Sequence, residues 1–390
     1  MDFFSDDIRR NPYPLFSQLR SISPVLREPQ SGLWMVFDYE GAKRTLSEHE
    51  TFSSRSSYEW LVFIDPPRHT KLRALISRGF TPRSVANLES RIRQISGELL
   101  DEKIERGEMD LAADFAAVLP MQVIAEMLGI PGADLAQFTR WSDVILNMSH
   151  TVPGTEGAAK ALSDYAAVTG EMNEYLAELL DQRKVAPHDD LLTRLAGAEV
   201  DGERLTQEEI LGFFQLLLVA GTETTTNLIN NAILCFIEHP DQLARLRAEP
   251  ELLPAAIEEV LRYRSPLQWI FRITRHDVEM HGQAIPAKSL VLPMIGSANR
   301  DPQHFRDADR FDIARDPNPH IAFGQGVHFC LGAPLSRLEA RIALCDLLER
   351  LKDFKLASGE PWKPRAALHV HGPARLPIRF EPGRRRAASA

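Results

Sequence analysis

Apolar residues recur at steps of three and four through Val85 to Ile104, Met172 to Leu180, Ile210 to Ile237 and Leu252 to Tyr263, a period that predicts helices with one buried face. A further helical run is expected from Pro334 to Leu351. Thr206 followed three residues later by Glu209 predicts a capping box at the start of the Ile210 helix. Strand-like stretches are short, as in Leu33-Trp34-Met35-Val36 and Ser289-Leu290-Val291-Leu292, and Met280-His281-Gly282-Gln283 reads as a turn between such pieces. The expected architecture is mainly α with a smaller β-rich portion. Pro-rich irregular segments fall at 301–320 and 359–373, and 185–202 is a polar, acidic connection between helical stretches. From Arg384 to Ala390 no packing pattern remains, so a disordered tail is expected there.

Composition narrows the class. With 390 residues and 44% hydrophobic content the chain can bury a large core, and length alone suggests two or three domains. Lys plus Arg number 45 against 54 Asp plus Glu, and the net charge of -9 argues against nucleic acid as the main partner. Met1-Asp2-Phe3-Phe4-Ser5-Asp6-Asp7 has neither the basic n-region nor the apolar h-region of a secretory signal, and no run of 18 apolar residues occurs anywhere. A cytoplasmic protein without a membrane span is expected. Cys235, Cys330 and Cys345 are too few and too scattered for a disulfide framework.

One cysteine stands in unusual surroundings. Phe323-Gly324-Gln325-Gly326-Val327-His328-Phe329-Cys330-Leu331-Gly332 sets Cys330 among three glycines, just before a helical run. Glycines let backbone approach a flat ligand or a sulfur closely, with N–H groups free to donate to that sulfur. Such donors, and the positive end of the following helix, favour thiolate over thiol. For an isolated cysteine, a buried structural thiol beside a glycine turn is the alternative. Cys235 and Cys345 have apolar helical neighbours and are expected to pack in the core.

A second polar feature interrupts the Ile210 to Ile237 helix, where Ala220-Gly221 runs into Thr222-Glu223-Thr224-Thr225-Thr226. Gly and Thr lower helix propensity, so local widening is expected, although a purely structural break is an alternative.

Together these segments resemble two signatures of the cytochrome P450 family. Phe323, Gly326, Cys330 and Gly332 match its haem-binding signature, and Ala220 to Thr224 resembles its oxygen-activation motif. The resemblance extends from about Asn11 to Phe380. It implies the P450 fold as one domain over 1–383, with haem b (iron protoporphyrin IX) as cofactor and Cys330 as the iron ligand; Ala220, Phe323, Gly324 and Gly332 would bear on the cofactor. Glu223 is the implied acid and Thr224 the implied alcohol, since cleaving dioxygen in a dry pocket requires delivered protons.

Other residues take on meaning in that frame. Glu259 and Arg262 match the family's Glu-x-x-Arg pair, with Arg310 the implied third member of the network and Ala308 standing where the family usually has Pro. His69, Arg73, Arg272 and His328 match the positions that pair haem propionates, anions that must be paired if buried. The implied substrate pocket takes Leu216, Val219 and Ala220, then Gln268, Trp269 and Ile270, and Val370. A short segment between Ser54 and Asp65 adds Trp60, Leu61, Val62 and Phe63, and reads as a pared-down lid that leaves the site open or mobile. For Trp269 and Ile270, packing in the strand core is an equal alternative. The implied activity is a monooxygenase inserting one oxygen atom from O2 into a hydrophobic small molecule. No redox module is fused, so electrons are expected from a separate ferredoxin and its NAD(P)H-dependent reductase, docking at Arg68, Lys71, Arg337 and Arg341. Ordinary solvated helix charges are the alternative reading of those four.

Overall fold

A computed structural model of the protein describes residues 5–29, 31–56, 58, 60–77, 80–150, 156–200 and 202–386. Helices dominate it, and they follow the hydrophobic period. The run from Val85 becomes the Glu89–Lys103 helix, the run around Met172 lies inside Glu156–Val185, and Leu253–Tyr263 and Ala333–Arg350 form where expected. A continuous apolar cluster draws on all of these, burying Ile92, Met172, Ile229, Ile257 and Leu344.

The predicted Ile210 to Ile237 helix is split into Gln207–Ala220 and Glu223–Glu238. Its start carries the expected capping box, in which the Thr206 hydroxyl accepts from the Glu209 amide and Glu209 accepts from the Thr206 amide. The break has local causes. The hydroxyls of Thr222, Thr224 and Thr226 each donate to the carbonyl four residues earlier, a pattern that bends helices. At Gly221 a β-carbon would stand 2.7 Å from the Leu217 oxygen and 2.8 Å from Ile124 Cδ1, so only glycine allows that approach.

The β portion is small. A five-stranded sheet runs in the order Val25–Arg27, Trp34–Val36, Leu290–Pro293, Arg272–Thr274, Phe52–Ser53, with the second and third strands parallel. Both strands predicted from sequence lie in it. A separate hairpin pairs Val278–Met280 with Gln283–Ile285 through His281 and Gly282, whose φ values of 49° and 72° suit a tight two-residue turn.

Two expectations need correcting. Within 185–202, Asp190 caps a short helix, Leu191–Ala196, that buries three leucines, so this connection is partly structured. In the expected tail, Arg385 pairs with Glu105 at 3.2 Å and Arg386 with Asp346 at 3.0 Å, because the neighbouring helices present carboxylates there; 387–390 lie outside the described residues. Among the described residues no helix is long and apolar enough to cross a membrane.

Candidate active site

One cavity lies between the broken helix and the cysteine loop. Ala220, Gly221, Thr224 and Thr225 line one side; Phe323, Gly324, Cys330, Leu331 and Gly332 line the other. Two motifs separated by about a hundred residues of chain therefore face a common space.

The loop is shaped by backbone. The Cys330 amide donates to the Phe323 carbonyl at 2.9 Å, and Gly324 and Gly326 sit at φ of 73° and 69°, where side chains are disfavoured. Burial pushes the Cys330 thiol up, opposed by hydrogen bonds from the Gly332 and Ala333 amides and by the Arg73 guanidinium. These are the donors a bound thiolate needs. Cys235 is fully buried and pushed up to about 12 by that burial, whereas Cys345 is exposed: it faces outward on the Ala333–Arg350 helix, contrary to the expected core position.

His69, Arg73, Arg272 and His328 converge on the same cavity. The two imidazole centroids lie 4.2 Å apart, and among the described residues neither nitrogen of His69 nor Nε2 of His328 has a hydrogen-bond partner. Burial first and then Arg73 push His69 down to about 4, and burial, then His69 and Arg272, push His328 down to about 3. Burial also pushes Arg272 down to about 10, and its side chain donates to the Phe271 carbonyl. Buried cations and orphaned imidazole nitrogens call for an anion. The set fits haem: a thiolate donor, glycines that admit a flat macrocycle, and a cationic end for two carboxylates.

Behind the loop, Glu259 and Arg262 are wholly buried and form two hydrogen bonds of 2.8 Å each. Arg262 also donates to the carbonyls of Asn299, Ala308 and Arg310. The third charged member is not Arg310 but Arg315, whose Nε reaches Glu259 at 3.1 Å. Arg310 supplies only its carbonyl and its side chain is exposed, because the turn through Asp307, at φ 47°, directs it outward.

Thr224 lines the cavity with its hydroxyl donating to the Ala220 carbonyl at 2.8 Å. Glu223 does not line it. Beyond the helix break the lining face continues through Thr224, Thr225 and Leu228, leaving Glu223 on the flank, where its buried carboxylate lies 3.8 Å from Arg365. Arg365 in turn donates to Asn227 at 3.0 Å. Sequence reasoning missed Arg365, in a segment read only as irregular. It also missed Glu339, which among the described residues keeps one carboxyl oxygen unpartnered beside Thr225 and which burial pushes up to about 8.

Of the expected substrate contacts, Leu61, Val62, Leu216 and Ile270 line the cavity, joined by Phe213 and Leu267. Five do not. Trp60 turns its indole N–H to Gln215, and Val219 packs against the main core outside the lining face. Gln268 folds back to donate to the Ser265 carbonyl, Trp269 packs with the cluster around Tyr13 and Phe16, and Val370 is occupied by a bridge to Leu267. The four cations proposed for docking are all ion-paired: Arg68 and Lys71 with Glu203, Arg337 with Glu258, and Arg341 with Glu89.

Comparison with known proteins agrees with this geometry. The family model "Cytochrome P450" matches residues 35–370. "Cytochrome P450 109" of Bacillus spizizenii is 40% identical over 386 residues, covering 97% of this chain and 94% of the relative. The structure of CYP109Q5 from Chondromyces apiculatus superposes with a TM-score of 0.89 at 42% identity, covering 97% of this chain and 98% of that one. CYP109E1 from Bacillus megaterium in complex with corticosterone gives a TM-score of 0.89 at 40% identity, covering 96% and 99%. A cysteine loop facing a broken helix across one cavity, in a fold shared over nearly its whole length with these enzymes, makes the chain a member of the cytochrome P450 family, a haem-binding oxidoreductase that incorporates oxygen from O2.

Proposed function

We propose that the chain inserts one oxygen atom from O2 into a neutral, hydrophobic small molecule, with electrons supplied by a separate ferredoxin and its NAD(P)H-dependent reductase. The observation that carries the substrate class is how charge is distributed around the cavity. His69, Arg73, Arg272 and His328 would pair the propionates, and Glu339, whose carboxyl burial pushes up to about 8, lies beside Thr225, whereas Leu61, Val62, Phe213, Leu216, Leu267 and Ile270 make an apolar wall. Nothing in that wall offers an ion pair, so shape and desolvation decide which molecules bind. The steroid bound by CYP109E1 makes corticosterone a reasonable first probe.

Bound haem supplies oxygen activation; the chain's residues hold it and manage protons. Cys330 would ligate the iron, with the Gly332 and Ala333 amides stabilising its thiolate. His69, Arg73, Arg272 and His328 would pair the propionates. Thr224 is suited to hold a proton at its hydroxyl on the cavity face, its place fixed by the Ala220 carbonyl. Glu223, off the cavity, would serve Thr224 by relaying protons rather than by touching substrate.

The test is product formed per NAD(P)H consumed, using holoprotein, ferredoxin, reductase and a panel of neutral apolar probes that includes corticosterone. A probe that shifts the haem from low to high spin should yield a product one oxygen heavier. Thr224→Ala should bind that probe unchanged yet release peroxide in place of most product. Spin shifts without product in the wild type, or wild-type coupling in Thr224→Ala, would contradict the reading.

A further inference from the structure

Gln215 is a buried amide inside the apolar run Phe213 to Leu218, and it is only 3% exposed. Burying an amide there is costly unless its polar atoms are engaged. They are. Its Oε1 accepts from the indole N–H of Trp60 at 3.0 Å and from the Tyr165 hydroxyl at 2.9 Å, while Nε2 lies 3.5 Å from Thr169 Oγ1. One side chain thus joins three stretches of chain: the Gln207–Ala220 helix, the Glu156–Val185 helix and the short segment before Asp65.

The same place carries an aromatic ladder. Trp60 stacks on Phe63 at 5.9 Å and Phe63 on Phe271 at 5.2 Å; Tyr58 meets Tyr165 edge-on at 6.0 Å. Leu61 and Val62, held between Trp60 and Phe63, line the cavity, as does Leu216 beside Gln215. The segment expected to be open or mobile is therefore anchored at Trp60 directly over the apolar wall.

We propose that Gln215 is the specificity-determining residue of this pocket, acting as a positioning residue: its amide oxygen fastens Trp60 and Tyr165 behind the cavity, holds the adjoining Leu61 and Val62 in its wall, and so limits the size of neutral molecule that enters. This rests on the reading of the apolar wall as the substrate side. The Trp60 and Tyr165 hydrogen bonds share one acceptor, so removing that acceptor loosens the support of Leu61 and Val62 from both sides together. Small ligands need no such release, whereas bulky ones do.

The experiment uses the holoprotein and two neutral nitrogen ligands that shift the haem spectrum, imidazole and N-tritylimidazole, mixed in a stopped-flow instrument. In Gln215→Met, which keeps the length but loses the acceptor, and in Trp60→Phe, which keeps a ring but loses the donor, association of N-tritylimidazole should speed up about fivefold, the scale of one lost internal hydrogen bond. Imidazole should stay within about twofold of wild type, and the double variant should gain less than the product of the singles. Equal acceleration of both ligands, or no acceleration of the bulky one, would overturn the role of Gln215. If the wild type bound imidazole but never N-tritylimidazole and Gln215→Met did not change that, the role would likewise be lost. A wild type in which neither ligand shifts the spectrum would instead overturn the substrate-side reading of the wall, and with it this one. Should Gln215→Met fail to fold, Trp60→Phe alone decides.

Discussion

Glu339 is wholly buried on the helix that follows Cys330, and burial pushes its carboxyl up to about 8 although Thr225 stands beside it. A raised folded-state pKa means that the native protein keeps a proton which the unfolded chain releases above the ordinary carboxylate range. The unfolded state then binds fewer protons, so this residue's contribution to stability falls as pH rises from about 4.5 to about 8. Glu339→Gln removes the titration. Its advantage over wild type should be near zero at pH 4.5 and grow to the order of a few kcal/mol by pH 8, read from denaturant unfolding of the holoprotein at several pH values. A difference that does not vary with pH would refute the buried neutral acid. Nothing in the sequence marks Glu339, which reads as a helix surface carboxylate between Arg337 and Arg341. Cys330, by contrast, stands out because most of its setting is contiguous: three glycines and a helix start within a dozen residues, with the Gly332 and Ala333 amides beside the sulfur and only Arg73 brought in by the fold.

Elements decide which of two neighbouring candidates acts. Residues on a helix are about 100° apart, and beyond the break at Gly221 and Thr222 the lining face runs through Thr224, Thr225 and Leu228, which leaves Glu223 on its flank. The spacing identified the pair but not the division between them, nor the Arg365 that meets Glu223 from a loop some 140 residues away in sequence. A turn makes the same kind of choice between Arg310 and Arg315. Both follow the Glu-x-x-Arg helix in order, yet only Arg315 returns to Glu259, which it shares with Arg262. Removing one member of a buried ion pair costs about 3–5 kcal/mol, whereas an exposed arginine is worth less than about 1. Arg315→Met should therefore lower stability and haem retention markedly, while Arg310→Ala, which leaves its carbonyl in place, should remain close to wild type. Equal losses in thermal unfolding would show that the network does not discriminate between them. The apolar pocket was harder to read still, since Trp60, Trp269 and Val219 satisfy a hydrophobic pattern equally well in a core or in a cavity wall, and only packing distinguishes these.

At the scale of the whole molecule the relevant balance is between a net charge of -9 and the basic residues near the cysteine helix. Sequence shows those cations as charges without partners, and so suggests a patch that attracts an acidic electron donor. In the fold, Glu203 takes both Arg68 and Lys71, Glu209 meets Arg68 as well, and Glu258 holds Arg337 through two bonds of 2.7 and 2.8 Å. Each cation has a carboxylate against it, which leaves little local excess of positive charge to steer a partner. Long-range steering is the component of association that salt suppresses, because exposed charges more than about 10 Å apart are screened at 0.1 M. If a ferredoxin docks on this face, the half-saturating concentration should change by less than about threefold between roughly 0.05 and 0.5 M salt. Replacing Glu203 by Gln would free Lys71, leaving Arg68 to Glu209 alone, and should make the same association both tighter at low salt and more salt-sensitive. A wild-type affinity that falls steeply with salt, together with no change in Glu203→Gln, would mean that the attraction comes from another face of the molecule.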